Sequence, residues 1–250
     1  MQVIAVGGSI RRPRVTGREV GRVAGLWRYP VKSMAPDALE RVEVGWHGVA
    51  GDRRWAFVRA GQERSGFPWL TIRERPALAR YQPRLVDPAS PDKTAVRIRT
   101  PDGIELDAVD PALAAELGPG VQVMKLDRGA FDTLPLALIS SQTLAGLGAL
   151  VGRPLAVERF RPNILIDGPV GAAYPEDAWV GAMIRIGALR VRVDKRDQRC
   201  VVVNVDPATG ARDPTILRTI SDARRACLGV YASVATPGAI AVGDPVVLDG

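Results

Sequence analysis

Arg196-Asp197-Gln198-Arg199-Cys200-Val201-Val202-Val203-Asn204-Val205-Asp206-Pro207-Ala208-Thr209-Gly210 sets a cysteine between a charged run and an apolar one. The apolar half is β-branched and predicts a strand. Asp206 to Gly210 then predicts a turn, because Pro presets φ while Asp and Gly tolerate turn backbone. Cys200 is therefore expected at the mouth of a strand with Arg199 beside it. A cationic neighbour favours the thiolate, the form of cysteine that attacks or binds metal. A cysteine so placed can equally be a small apolar residue opening a buried strand. The rest of the chain decides between the two.

Short strand-like runs lie on both sides of this stretch. Upstream they are Gly21–Tyr29, Leu39–Val44, Trp55–Val58, Gln82–Val86, Ala95–Thr100 and Val121–Leu126. Pro101-Asp102-Gly103 supplies a hairpin turn. Closer in, Gly187-Ala188 joins Met183–Ile186 to Leu189–Val193, and Val246-Val247-Leu248 closes the chain. Arg159-Phe160-Arg161-Pro162-Asn163 leads into apolar Ile164–Ile166. If extended, it puts Arg159, Arg161 and Asn163 on one face. Helices are few: Pro111–Leu117, Thr143–Leu150 capped by Ser141, and Thr215–Ala226. The last is expected to end at Cys227 with Gly229 in a capping position. This pattern predicts a mainly β (α+β) chain built on a barrel or sandwich.

At 250 residues and 46% hydrophobic content, the chain can bury a sizeable core in one large or two small domains. No apolar run reaches bilayer-spanning length, so no membrane partner is expected. Met1–Arg14 lacks an apolar signal-like stretch. With two cysteines and no disulfide framework, a cytoplasmic location is the expectation. One histidine, His47, and two cysteines cannot assemble an ordinary structural zinc site. Neither a Walker-type phosphate loop nor a GxGxxG turn is present. The charge is uneven: residues 11–84 carry 16 Lys and Arg against 7 Asp and Glu, the remainder 18 against 20. A basic half suggests an anionic partner, whether phosphate, an anionic cofactor or nucleic acid. Nucleic acid is the least favoured, because 5% aromatic content leaves few stacking platforms.

Seven motifs, read together and in order, carry a resemblance. They are Tyr29-Pro30-Val31-Lys32-Ser33, Gly51-Asp52-Arg53, Arg159-Phe160-Arg161-Pro162-Asn163, Glu176-Asp177-Ala178-Trp179, Arg199-Cys200, Val205–Gly210, and Gly229-Val230-Tyr231-Ala232 followed by Gly238 and Val242-Gly243-Asp244. No one of them is specific; the ordered set resembles the MOSC family. Within it, the set is similar to two-part members such as the mitochondrial amidoxime-reducing component and its bacterial counterparts. The resemblance implies a MOSC β-barrel with an interleaved N-terminal β subdomain and a few short helices. It divides the chain into a flexible tail (1–17), an N-terminal β region whose first strands join the core barrel (18–122), and the MOSC domain (123–250).

The resemblance also implies a molybdenum cofactor of the molybdopterin type. Cys200 would be the catalytic metal ligand. Lys32, Ser33, Arg53, Ser140, Arg159, Arg161, Asn163 and Arg199 would hold the pterin and its phosphate. The chemistry is consistent, since a sulfur-bound metal suits a thiolate and a phosphate suits guanidinium forks. Two cysteines leave no room for a four-thiolate iron–sulfur cluster, and no pyridoxal phosphate domain is recognisable. Electrons would come from a separate donor protein, a ferredoxin- or a cytochrome/flavin-type reductase, for reduction of a small N-hydroxylated substrate. Asp197 and Gln198 stand where the resemblance implies small residues, and so bear on substrate access. The alternative is a cofactor carrier or sulfur-transfer protein using a Cys200 persulfide.

Overall fold

The computed structural model describes residues 17–249 apart from Val170 and Ala172. The expected tail lies outside the described residues except for Gly17, which opens the first strand. The first half holds strands β1 (Gly17–Arg28), β2 (Asp37–Leu39), β3 (Arg41–Gly45), β4 (Gly48–Val49), β5 (Trp55–Val58), β6 (Gln82–Leu85), β7 (Val96–Arg99), β8 (Glu105–Asp107) and β9 (Gln122–Lys125), with helix α1 (Pro111–Leu117) before β9. The second half holds β10 (Leu136–Ser140), α2 (Ser141–Val151), β11 (Ile164–Asp167), β12 (Met183–Ile186), β13 (Leu189–Gln198), α3 (Thr215–Arg224), β14 (Cys227–Thr236), β15 (Gly238–Ala241) and β16 (Pro245–Asp249).

Seven strands close into a barrel in the order β11-β10-β14-β13-β12-β16-β1, and β1 pairs back onto β11. Closure removes the sheet edges. β1 achieves it by length: Gly17–Arg22 pairs with β16 and Arg22–Leu26 with β11. The pairs are antiparallel except β10–β11, which is parallel and bridged by α2. The barrel core holds Val23, Leu26, Leu138, Ile164, Ile184, Val191, Val193 and Val230, and is capped by β3, β4 and β15 through Val42, Val44, Val49 and Ile240. In β13, Val191 and Val193 face inward while Arg190 and Arg192 stay exposed, the period-two pattern of a strand with one wet face.

Two further cores flank the barrel. The β5–β9 ribbon, the β6-β7-β8 sheet and α1 bury Phe57, Ile72, Leu78, Ile98, Leu113 and Val205. α2 and α3 bury Leu147, Ile216 and Ile220 against Ile139, Phe160, Val203 and Leu228. Among the described residues no helix is long and apolar enough to cross a membrane.

Four local expectations are corrected. Val201–Asn204 is a 3-10 turn, with Val203 N donating to Cys200 O (3.1 Å) and Val205 N to Val202 O (3.0 Å). Its valines serve different partners: Val205 and Val202 pack in the N-terminal core and Val203 under the helices, so no single strand face would place them. Arg159 likewise sits in a 3-10 turn (Val157–Phe160), and Arg161 is left-handed, so Arg159, Arg161 and Asn163 do not share a strand face. The cap of α2 is Ser140, whose Oγ accepts from Thr143 N at 3.1 Å; Ser141 is the first helical residue. α3 stops at Arg224 because Arg225 and Ala226 both take left-handed φ, and Cys227 opens β14.

Candidate functional site

A cavity of about 300 Å³ opens where the barrel end, the N-terminal core and the helical layer meet. Its wall includes Lys32, Ser33, Arg53, Arg159, Arg161, Arg199 and Cys200, so seven of the nine expected site residues come together. Their sequence separation is bridged by one buried carboxylate, Asp52. It accepts from Tyr29 N (2.7 Å), Asn163 Nδ2 (3.2 Å) and Arg53. Arg53 N returns a bond to Tyr29 O at 2.6 Å, and Lys32 N donates to Trp55 O at 2.8 Å. The end of β1, the turn before β5 and the start of β11 are thereby fixed to one another.

Ser33, Arg53 and Arg161 have φ of 68°, 51° and 53°. Left-handed backbone is costly for residues with a Cβ and persists only where the surroundings over-determine it. Here it turns both guanidinium groups onto the Tyr29 ring, Arg161 at 4.2 Å and Arg53 at 4.6 Å from its centroid.

The cations are unequally engaged. Arg159 is tied into the scaffold at both ends of its fork, with Nη1 to Val203 O (3.2 Å) and Nη2 to Asp206 (2.8 Å), and only its Nε is left unpartnered. Arg199 donates Nε to Leu228 O and Nη1 to Phe160 O, both at 2.7 Å, leaving Nη2 buried and unpartnered. Arg161 donates Nη1 to Met34 O (2.8 Å), and its Nη2 is also buried and unpartnered. Burial pushes Arg161 down to about 10. Lys32 donates to Ala130 O (2.7 Å) and to Asp132; burial pushes it down to about 8 against the pull of Asp132.

Arg199, expected to serve the neighbouring Cys200 thiol, instead bonds Leu228 O and Phe160 O. The cation at Cys200 is Arg73, whose Nη2 lies 3.4 Å from Sγ and 3.1 Å from Asp132. Arg73 belongs to a turn that Thr71 and Glu74 tie together, Thr71 N donating to the Glu74 carboxylate at 3.0 Å. The Thr-x-x-Glu spacing was the available signal for that turn. Nothing in the sequence links it to a cysteine 127 positions away.

Ser140 and Asn163 stand apart from the lining. Ser140 Oγ donates to Glu176 (2.7 Å) besides capping α2, and Asn163 Nδ2 donates to Trp27 O (3.2 Å) and Asp52. Both order the walls from behind.

The donor set can be tested against the expected cofactor. Among the described residues no three His, Cys, Asp or Glu side chains cluster as metal ligands. A metal held here must therefore arrive with most of its own ligands and take one sulfur from the wall. Orphaned buried donors on Arg161 and Arg199 ask for an anion, because an unpaired buried N–H is expensive. One thiol facing a cationic cavity thus fits an anionic organic cofactor that carries its metal on sulfur.

A family model described as the MOSC domain matches residues 127–247, and one described as the MOSC N-terminal beta barrel domain matches residues 20–134. Mitochondrial amidoxime-reducing component 1 of Homo sapiens is 28% identical over 307 aligned positions, spanning 96% of this chain and 86% of that one. Mitochondrial amidoxime reducing component 2 of Homo sapiens is 26% identical over 301 positions, spanning 94% and 85%. The crystal structure of the YUAD protein from Bacillus subtilis aligns with a TM-score of 0.49 and 13% identity, over 94% of this chain and 100% of that one. With the two family models spanning residues 20–247 between them, the chain belongs to the MOSC domain family and carries both its N-terminal barrel and its MOSC domain.

Proposed function

We propose that the cavity binds a molybdenum cofactor through Cys200 and that the chain is an oxidoreductase for N-hydroxylated compounds, supplied with electrons by a separate donor protein. The observation that carries this reading is the placement of Cys200 on the wall of a cavity whose guanidinium groups still have N–H donors to give. The relatives named amidoxime-reducing components, which align over nearly the whole chain, support the substrate class.

When bound, the cofactor supplies the redox centre that passes two electrons to the substrate. The chain's own residues do the rest. Arg161 and Arg199 would hold an anionic group of the cofactor with their free N–H groups, and Lys32 would add a point charge. Cys200 offers sulfur, a suitable ligand for a metal already in a sulfur environment. Arg73 aims positive charge at that sulfur. Phe67, Phe131 and Phe160 exclude water from the walls.

A persulfide on Cys200 is the competing reading, favoured by the Arg73 contact, which would equally support a sulfur anion. The two are separated by turnover. Metal-loaded protein with a chemical reductant should convert an aromatic amidoxime to its amidine, and NADH alone should give nothing. If loaded protein reduces no amidoxime or hydroxylamine under those conditions, the reductase reading fails and sulfur transfer takes its place.

A further inference from the structure

Asp197 is a buried carboxylate in the cavity wall to which nothing above gives a role. β13 turns Leu189, Val191 and Val193 inward; past a bulge between Val193 and Lys195 the strand carries Asp197, which is 2% exposed. A buried position usually takes an apolar side chain, and a buried charge is costly unless fully matched. The match is incomplete. Arg199 Nη1 lies 3.0 Å from Oδ2, yet Oδ2 has no hydrogen-bond partner. Tyr231, on neighbouring β14, lines the same cavity and draws the carboxyl pKa down. The charged and titratable groups that face it are Arg199 after β13, Tyr231 on β14, Arg53 before β5 and Asp132 before β10.

We propose, resting on the reductase reading, that Asp197 is the general acid of the reaction and gives its proton to the oxygen that leaves nitrogen. The balance is R–NH–OH plus two electrons and two protons, giving R–NH2 and water. The N–O bond breaks and nitrogen is reduced. One proton comes from Asp197; solvent supplies the second and restores the first. The electrons come from the donor protein or a chemical reductant.

Other candidates are less suited. Burial holds Tyr231 up to about 12, so it keeps its proton. Lys32 holds two of its three N–H groups in hydrogen bonds to Ala130 O and Asp132. Burial pushes Asp197 up to about 6 against the pull of Arg199, which leaves it a proton to transfer near neutrality.

The test is the pH profile of amidoxime reduction by metal-loaded protein. Wild-type kcat should fall as pH rises through about 6. Asp197→Asn, which keeps the shape, should lower kcat about 10²–10⁴-fold and remove that ionisation from the profile. Asp197→Glu should restore part of the rate, and Tyr231→Phe should move the ionisation upward. Independently of turnover, metal-free protein should show an infrared carboxyl band that titrates near 6 and is missing in Asp197→Asn. An active wild type whose profile Asp197→Asn leaves unchanged overturns the acid and spares the reductase reading. A loaded wild type that reduces no N-hydroxylated compound overturns both.

Discussion

Arg159 and Arg161 look alike in sequence, yet both Nη atoms of Arg159 are engaged by the scaffold whereas Arg161 keeps a free Nη2. Arg161→Ala removes a free buried donor and should lower cofactor occupancy about tenfold at limiting cofactor, with little loss of stability. Arg159→Ala removes an ion pair with Asp206 and should cost about 1–3 kcal/mol of stability, discounted because Asp206 is a third exposed. Urea melts and metal analysis of the two variants separate the roles. Lys32 gives a pH signature. Between about 8 and the ordinary lysine value, the unfolded chain binds a proton that the folded chain has lost, so its contribution to stability rises with pH there. Oxyanion binding has the opposite sign, because an anion favours charged Lys32. Pyrophosphate affinity of the metal-free protein should fall as pH rises through about 8, and Lys32→Gln should flatten the curve. Calorimetric titration reads it. At this scale Cys200 and the basic residues were legible from type and order. Arg73 was not, because a tertiary contact between a turn and a distant thiol leaves no local trace. Alkylation of Cys200 in metal-free protein should slow about tenfold in Arg73→Gln and stay near wild type in Arg199→Gln.

At the scale of elements, alternation was the readable signal and it holds where one face is wet, as in β3 and β13. It misleads where a run serves several cores. The valines after Cys200 look like a strand, yet they divide between two cores and fold as a 3-10 turn. β14 was hidden for a different reason. Two consecutive residues with a Cβ, Arg225 and Ala226, adopt the left-handed backbone that usually signals glycine. Gly229 then works inside the strand rather than as a helix cap. Its φ is 75°, and an added Cβ would lie 2.7 Å from Leu138 O and 3.1 Å from Arg199 Nη2. Gly229→Ala should cost about 1–3 kcal/mol, measured by thermal melting, and should loosen Arg199.

Taken whole, the molecule divides its basic excess: part is buried in ion pairs, while Arg18, Arg22, Arg41, Arg64, Arg80 and Arg84 stay exposed. Arg28, Lys32, Arg53 and Arg54 pair with Asp37, Asp132, Asp52 and Asp92, and of these residues Lys32, Arg53 and Asp132 line the cavity. Because barrel strands, the N-terminal core and the helical core all contribute to the cavity wall, ligand binding should be felt by the entire fold. Loaded protein at a hundredfold excess over Kd gains about 2.7 kcal/mol, which for a chain this size raises Tm by roughly 5–10 °C. The central claim is that Cys200 holds the metal of a molybdenum cofactor. The measurement is molybdenum content and metal spectrum of wild type, Cys200→Ser and Cys227→Ser, all made in a host that synthesises the cofactor. The account predicts molybdenum in wild type, a changed spectrum in Cys200→Ser alone, and an unchanged one in Cys227→Ser. A wild type without molybdenum, or a spectrum that follows Cys227, would contradict it.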